Sequence, residues 1–149
     1  MNPAIFNKAL PQHQRGVGLI EVLITVLVLA IGLLGLSALQ FASLKNNQSA
    51  MQRSLAVVHS YTMIEAIHAD KESALAGRFN ISLTADPGSG SFPSNMHTFW
   101  RSELKNSLGT SATGSVNCTT TQCTIIVQWD DSRTSQGSET EQLITEVWL

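Results

Sequence analysis

One acidic side chain lies inside a long apolar stretch, and its chemistry is the first feature of this sequence that needs an explanation. Glu21 is the only charged residue between Val17 and Phe41, and the basic Arg15 and then Gly16 come directly before that stretch. An ionisable group in apolar surroundings costs a few kcal/mol unless it meets a partner, so it is a functional-site hypothesis by default. Glu21 is therefore expected to have a partner that offsets the cost of its charge.

The other residues that could carry chemistry predict one further site, a disulfide. Cys118 and Cys123 enclose four residues. Because the region after the apolar stretch is expected on the outer, oxidising side of the membrane, this pair predicts a disulfide that closes a hairpin loop. The four histidines form no ligand motif, and His59 and His68 are expected on the surface. Asp130-Asp131 predicts a solvated turn, because its loop lacks the alternating oxygen ligands of a calcium loop. Without a nucleophile motif, we expect neither an enzyme nor a metal or cofactor site.

The element that positions Glu21 is a helix of unusual length. As a helix, the 25 residues from Val17 to Phe41 measure roughly 38 Å, enough to cross a hydrocarbon core of about 30 Å. Because no Pro or Gly interrupts residues 42–76, the helix is predicted to continue to about residue 74 and to end before Gly77. Gly32 and Gly35 each cost roughly 0.5–1 kcal/mol inside a helix. They indicate either a softened point, where the helix gains flexibility, or close packing against another membrane helix.

The outer half of this helix carries one apolar face by spacing. Met51, Leu55, Val58 and Tyr61, with Thr62, fall together at i, i+4 and i+7, as expected of the side that packs on a core. Two apolar residues depart from this face. Met63 and Ile67 form an i, i+4 pair on the mostly polar side, where they either cap the core or contact a neighbouring subunit.

A polar loop and a second, shorter helix follow. Residues 82–95 are rich in Ser, Gly, Asp and Pro and are predicted to form an exposed loop. Ser94 or Asn95 is the expected N-cap of the helix, which Gly109 ends. Its core-facing stripe is predicted to consist of Met96, Trp100, Leu104 and Leu108.

The chain closes with a small β region. Residues 115–118 and 123–129 predict two strands, and the cysteine pair would set their register, with Val116 opposite Ile125. Residues 140–149 alternate apolar and polar side chains and predict a third strand. The sequence therefore predicts an α+β fold in which the outer half of a long N-terminal helix packs on a small antiparallel sheet beside a short second helix.

Charge sets an orientation and argues against a nucleic-acid partner. The formal net charge is −2, and neither a basic run nor a Gly-rich phosphate loop occurs. Lys8, His13 and Arg15 precede the apolar stretch without any acidic residue, which favours a cytoplasmic N-terminus. In a secretory signal the apolar region comes before the cleavage site, whereas here it follows Gly16.

Arg15, Gly16 and the sequence Leu19-Ile20-Glu21 at the start of an apolar run resemble the processing site of type IV pilins and pseudopilins. The resemblance implies cleavage between Gly16 and Val17 by a prepilin peptidase, N-methylation of Val17 by its methyltransferase activity, and subunit docking through Glu21. The family's usual Phe and Thr or Ser are here Val17 and Gly18. Removal of residues 1–16 leaves seven basic and eleven acidic residues, a formal net charge of −4.

Further segments carry a second resemblance: 18–23, 31–36 with Gln40, 63–70, 74–77, the Trp100 helix and 127–133. They resemble the PilV family of minor pilins, also called type IV pilus modification proteins. This resemblance implies a type IV pilin-like fold and a subunit that primes pilus assembly with other minor pilins and the major pilin at the inner-membrane assembly platform. It also implies a place at the fibre tip and a contribution to twitching motility and adhesion.

The expected organisation has three parts, and two other functions stay open. Residues 1–16 are a cytoplasmic leader, 17–41 the part of the helix that lies in inner-membrane lipid and later in the fibre core, and 42–149 a periplasmic headgroup domain. After assembly the protein would lie in the surface pilus. The alternatives are a minor pseudopilin of a type II secretion system and an uncleaved single-pass anchored sensor or interaction protein.

Overall fold

The computed structural model describes residues 16–134 and 137–149, so the leader predicted for residues 1–16 lies outside the described residues except for Gly16. The chain divides into two compact units between Leu39 and Gln40. The predicted α+β fold is confirmed: a long N-terminal helix is followed by a short helix and a three-stranded antiparallel sheet. The elements are α1 Leu19–Ala69, α2 Lys71–Leu75, α3 Phe92–Leu108, β1 Thr113–Cys118, β2 Gln122–Trp129 and β3 Glu141–Trp148.

The long helix ends earlier than its sequence predicts. α1 stops at Ala69, and Asp70 leaves the helical conformation with φ −133° and ψ 62°. Its carboxylate accepts a hydrogen bond from the backbone N–H of Ser73 at 3.2 Å, so Asp70 is the N-cap of the short helix α2. The prediction of one helix to residue 74 is wrong, because an Asp side chain that caps a new helix competes with continuation of the old one.

Gly77 ends a helix, as predicted, but that helix is the short α2 and not the long α1. Gly77 has a φ of 70°, the left-handed region that only glycine adopts readily. The N–H of Gly77 donates to Ala74 O, and the N–H of Arg78 donates to Ser73 O, both at 2.9 Å. This pair of bonds is the Schellman arrangement, which satisfies the last carbonyls of the helix and turns the chain towards the core.

The face of α1 that packs on the sheet is not the predicted one. Met51, Val58 and Tyr61 are exposed, and only Leu55 of the predicted face contacts the core. The buried side, which we call the inner stripe, consists of Ala56, Ser60, Met63 and Ile67, each no more than 1% exposed. Ala56 and Ser60 contribute small side chains to this stripe, whereas Met63 and Ile67 fill the core with larger ones.

The second long helix begins before its predicted start. α3 starts at Phe92, and the hydroxyl of Ser91, rather than Ser94 or Asn95, accepts the capping bond from the N–H of Ser94. Pro93 fits the first turn because its missing N–H would have no helical partner there. Gly109 is the C-cap, as predicted. The predicted stripe is confirmed, with Trp100, Leu104 and Leu108 buried and Met96 partly buried against them.

The sheet has the order β1-β2-β3, with both pairs antiparallel. The predicted register is confirmed, since Val116 lies opposite Ile125 and Cys118 opposite Cys123. Alternate side chains of β1 and β2 point into the core, where they meet α3 and the inner stripe of α1. These core side chains are Val116, Cys118, Cys123, Ile125, Val127 and Trp129.

One half of the predicted solvated turn after β2 is buried. Asp131 is only 3% exposed, and its carboxylate accepts a hydrogen bond from the hydroxyl of Ser49 on α1 at 2.6 Å. The prediction holds for Asp130, whose exposed carboxylate accepts a bond from the N–H of Ser132. It is wrong for Asp131, because a residue distant in sequence supplies the bond that permits its burial.

Candidate functional site

The bond between Gly16 and Val17 lies in an exposed segment directly before the long helix. Residues 16–18 have no regular structure, and the carbonyl of Gly18 accepts the first helical bonds, from the N–H groups of Glu21 at 3.0 Å and Val22 at 3.3 Å. A Cβ added at Gly16 would have no heavy atom within 4 Å. Among the described residues nothing sterically requires glycine at this position, so recognition by another molecule can explain it.

Glu21 is in the first turn of α1, where its negative charge interacts favourably with the helix dipole. Two other polar side chains of the apolar stretch are satisfied within the helix itself. The hydroxyl of Thr25 donates to Val22 O and that of Ser37 to Leu33 O, both at 2.8 Å. Among residues 16–134 and 137–149, the Glu21 carboxylate accepts no hydrogen bond and forms no ion pair. It is thus a charged group that an outside partner can satisfy.

Gly32 and Gly35 lie within an uninterrupted part of α1. A Cβ added at either glycine would have no heavy atom within 4 Å, so no contact inside the described chain requires a glycine there. Packing against another molecule and helix flexibility both remain compatible with these two positions. The role of Gly32 and Gly35 stays a prediction.

The first part of α1 has the length and composition of a membrane-spanning helix. Its most apolar 18-residue window contains no residue buried within the protein. Large apolar side chains are exposed all around the helix between Val17 and Phe41. A helix that is apolar on every side needs an apolar environment, such as lipid or other helices.

An exposed apolar stripe continues along the outer half of α1. We call this the outer stripe, and it consists of Leu44, Met51, Val58 and Tyr61, all about 60% exposed. On other sides of the helix, Arg53 forms an ion pair with Glu141 of β3 at 2.6 Å. The outer stripe is therefore available to a partner while contacts elsewhere hold α1 on the sheet.

The predicted disulfide is present between Cys118 and Cys123, whose Cα atoms are 4.0 Å apart. It joins the last residue of β1 to the second residue of β2 and closes the hairpin loop. In that loop the hydroxyl of Thr119 accepts bonds from the N–H groups of Thr121 and Gln122. The disulfide is part of the scaffold rather than a reactive site.

Sequence reasoning missed two buried polar residues on α3. His97 is 2% exposed, and its Nε2 lies 2.9 Å from Phe79 O. Burial lowers the pKa of His97, while the bond to Phe79 opposes that shift and the charge of Arg101 adds to it. Arg101 donates hydrogen bonds to the carbonyls of Ser82, Ala85 and Gly114. The spacing offered a signal, since both residues lie beside the apolar stripe, four residues apart.

The histidines expected on the surface differ from each other. His68 is exposed, as predicted, but His59 is half-buried and its Nε2 lies 2.7 Å from the hydroxyl of Ser107. Burial lowers the pKa of His59, although the charge of Glu103 partly opposes this shift. Within residues 16–134 and 137–149, no three His, Cys, Asp or Glu side chains lie close enough to hold a metal ion.

Comparison with known families gives one match. Residues 11–37 match the family profile described as the prokaryotic N-terminal methylation motif. This region contains the Gly16–Val17 bond, Glu21 and most of the apolar stretch. No curated protein and no solved structure matches the chain. The N-terminal motif, together with a long helix and a small antiparallel sheet, supports a type IV pilin-like protein with a pilin or pseudopilin role.

Proposed function

We propose that this chain is a minor pilin of a type IV pilus. It joins other minor pilins and the major pilin at the inner-membrane assembly platform, primes the fibre and stays at its tip, where it supports twitching motility and adhesion. The observation that carries the proposal is the exposed Gly16–Val17 bond directly before an apolar helix whose first turn contains Glu21. The methylation-motif match covers these residues.

The proposed mechanism begins with processing at this bond. The leader stays in the cytoplasm, and the prepilin peptidase cleaves after Gly16. The new amine of Val17 is then methylated. A positively charged amine and the Glu21 carboxylate are both costly when unpaired in lipid, so each favours a position in which they meet. An incoming subunit whose amine lies beside Glu21 of its neighbour satisfies both charges, and this sets its depth in the fibre.

The exposed apolar surface of α1 supports an assembly role rather than an enzymatic one. Its first part is apolar on every side, and the outer stripe extends apolar exposure into the periplasmic half. Such a surface suits lipid before assembly and neighbouring helices afterwards. We propose a structural role without a cofactor.

The test of processing is N-terminal sequencing of the mature protein, with Gly16→Val and Gly18→Ala as matched variants. We expect wild type and Gly18→Ala to begin at Val17, since a Cβ at Gly18 makes only an ordinary 3.8 Å contact with Ile20. Gly16→Val should begin at Met1, because the described residues leave room for a side chain there, whereas the peptidase would reject it. A wild-type protein that begins at Met1 would refute the proposal and favour an uncleaved anchor.

A second experiment separates the pilus from a secretion pseudopilus, which shares the leader and the helix. Deletion of the gene should abolish or reduce surface pili and twitching while type II secretion continues. Loss of secretion with normal pili would instead assign the chain to the secretion system.

A further inference from the structure

The two edges of the sheet differ in how their backbone groups are used. In an antiparallel sheet, alternate residues of an edge strand direct their N–H and C=O groups away from the neighbouring strand. On the β1 edge, Val116 exchanges both backbone hydrogen bonds with Ile81, at 2.9 and 3.0 Å. Two residues further, the side-chain amide of Asn80 takes the place of a strand. Its oxygen accepts from the N–H of Cys118, and its nitrogen donates to Cys118 O.

A charged side chain covers the third outward residue of this edge. The carbonyl of Gly114 accepts hydrogen bonds from Nε and Nη2 of Arg101, at 3.1 and 2.7 Å. The outward groups of Gly114, Val116 and Cys118 thus meet a guanidinium, a strand residue and an amide. The β1 edge is closed to a further strand.

The opposite edge, β3, can be assigned from one terminal hydrogen bond. The N–H of Leu149 donates to Thr121 O at 3.0 Å, so Leu149 and every second residue before it direct their backbone groups towards β2. The remaining residues direct theirs to the free edge. These outward residues are Gln142, Ile144, Glu146 and Trp148.

Nothing in the described part of the chain blocks this free edge. The backbone N–H and C=O groups of the four outward residues have no partner among residues 16–134 and 137–149. β3 is eight residues long, pairs with β2 without a bulge, and contains no Pro, Lys or Arg. Proteins usually protect a long edge strand with a bulge, a Pro or a Lys, because an open edge is a template for another strand.

The core-facing side chains of β3 are also less buried than those of the other two strands. On the core-facing side of the sheet, Val116 of β1 and Ile125 of β2 are at most 1% exposed. Their counterparts on β3 are only half-buried: Leu143, Thr145 and Val147. An added strand would extend the sheet and cover these side chains at the same time.

We propose that the β3 edge binds an extended segment of another protein, which adds to the sheet as a fourth strand. The segment has apolar or β-branched residues at alternate positions to cover Leu143 and Val147. It has a basic residue beside Glu146, since Glu141 already pairs with Arg53 and β3 has no basic residue. This inference goes beyond the proposed function because it concerns the sheet and not the N-terminal segment.

The test uses the ¹⁵N-labelled full chain in detergent micelles and a synthetic octapeptide in which Val alternates with Thr, with Lys at one Thr position. We expect peptide binding to slow amide exchange of Ile144 and Glu146 by about tenfold or more, as new backbone bonds form. The amide of Val116, already bonded to Ile81, should not change. A peptide with the same side chains but alternate N-methylated amides is the control, and binding by that peptide would refute backbone pairing.

Two variants separate the backbone from the side chain. Ile144→Pro removes an N–H that points to the free edge and leaves the β2–β3 bonds intact, so it should weaken binding about tenfold or more. Ile144→Thr changes the same side chain, keeps the N–H and should bind like wild type. Unchanged exchange at Ile125 checks that each variant is folded.

A charge reversal tests the chemistry of the partner. Glu146→Lys should weaken binding of the Lys peptide and strengthen binding of a matched Glu peptide. Equal binding of both peptides would refute the basic partner. Exchange protection of Ile144 that rises with protein concentration, without peptide, would mean that a second copy occupies the edge and would also refute it. Because the assay reads only β3, its outcome is independent of the cleavage test.

Discussion

Gly114 of β1 lies against the indole of Trp100, and the addition of a single methyl group there should be strongly destabilising. A Cβ on Gly114 would lie 2.3 Å from Cη2 and 2.5 Å from Cζ3 of Trp100, and 3.1 Å from Ile126 O. The indole cannot move aside easily, since it is fully buried and its Nε1 donates to His59 O at 2.9 Å. Gly114→Ala therefore forces a shift of Trp100, of β1, or of both.

The magnitude follows from three contributions. Overpacking costs about 1–3 kcal/mol, and two contacts below 3 Å place this site at the upper end. A weakened Trp100–His59 hydrogen bond adds about 1 kcal/mol, while the lower chain entropy of Ala returns about 0.5–1 kcal/mol. The net loss is about 3 kcal/mol in the free energy of unfolding. That loss corresponds to roughly a hundredfold faster exchange for amides that open only by global unfolding.

Amide hydrogen exchange of Ile125 and Val127 in the full chain is the assay, because both residues lie in the central strand. Trp100→Phe provides the decisive background, since a phenyl ring lacks the atoms that the new methyl group would meet. In that background Gly114→Ala should be neutral or stabilising by up to about 1 kcal/mol, which gives a coupling energy of roughly 3 kcal/mol. An equal cost in both backgrounds would refute the steric explanation.

Three further predictions concern assembly, the disulfide and pH. Glu21→Ala should be inserted and cleaved but incorporated poorly into fibres, as measured by its share in sheared pili against Thr25→Ala; normal incorporation would contradict the pairing model. Reduction of Cys118–Cys123 should lower the free energy of unfolding by about 2 kcal/mol in urea titrations and leave a double Ser variant unaffected. Burial lowers the pKa of His97, so the unfolded chain binds the proton more readily, and stability should fall as pH drops below about 6.5. His97→Gln should reduce this slope and exposed His68→Gln should not; equal slopes would refute the assignment.

The parts of the fold that sequence reasoning predicted correctly depend on local patterns. The length of the apolar run that begins at Val17 predicts the first part of α1. The spacing of Cys118 and Cys123 predicts the β1–β2 register. The α3 stripe around Trp100 follows from repeated four-residue spacing. In each of these cases the residues that determine the structure lie within a few turns of one another.

The parts that were missed depend on contacts between distant residues. Asp131 is buried because Ser49, eighty-two residues away, donates to it. The core face of α1 could not be chosen by apolarity alone, since its buried side includes the small Ala56 and the polar Ser60, whereas the apolar Met51 and Val58 are exposed. Arg101 satisfies carbonyls of a loop whose course the sequence does not specify.

The candidate functional features show the same contrast between local patterns and contacts of distant residues. The residues at the start of α1 could be found from the sequence because they form a linear motif. A peptidase and a neighbouring subunit would recognise that motif. The open edge of β3 was not found, because an edge is a property of strand order. The difference becomes visible when the outer edge of β1, which pairs with Asn80 and Ile81, is compared with the outer edge of β3, which has no partner among the described residues.

The two stripes of α1 place two kinds of selection on one helix. On the inner stripe, Ala56 and Ser60 must stay small for each molecule to fold, so enlargement at these positions is harmful even in an isolated subunit. On the outer stripe, Met51 and Val58 face away from the core, so we expect a polar replacement there to leave folding intact and, under the proposed role, to weaken association between subunits. In a mutational scan of the outer half of α1, we therefore expect the positions sensitive in folding and those sensitive in assembly to recur with the same helical spacing but on different faces of the helix.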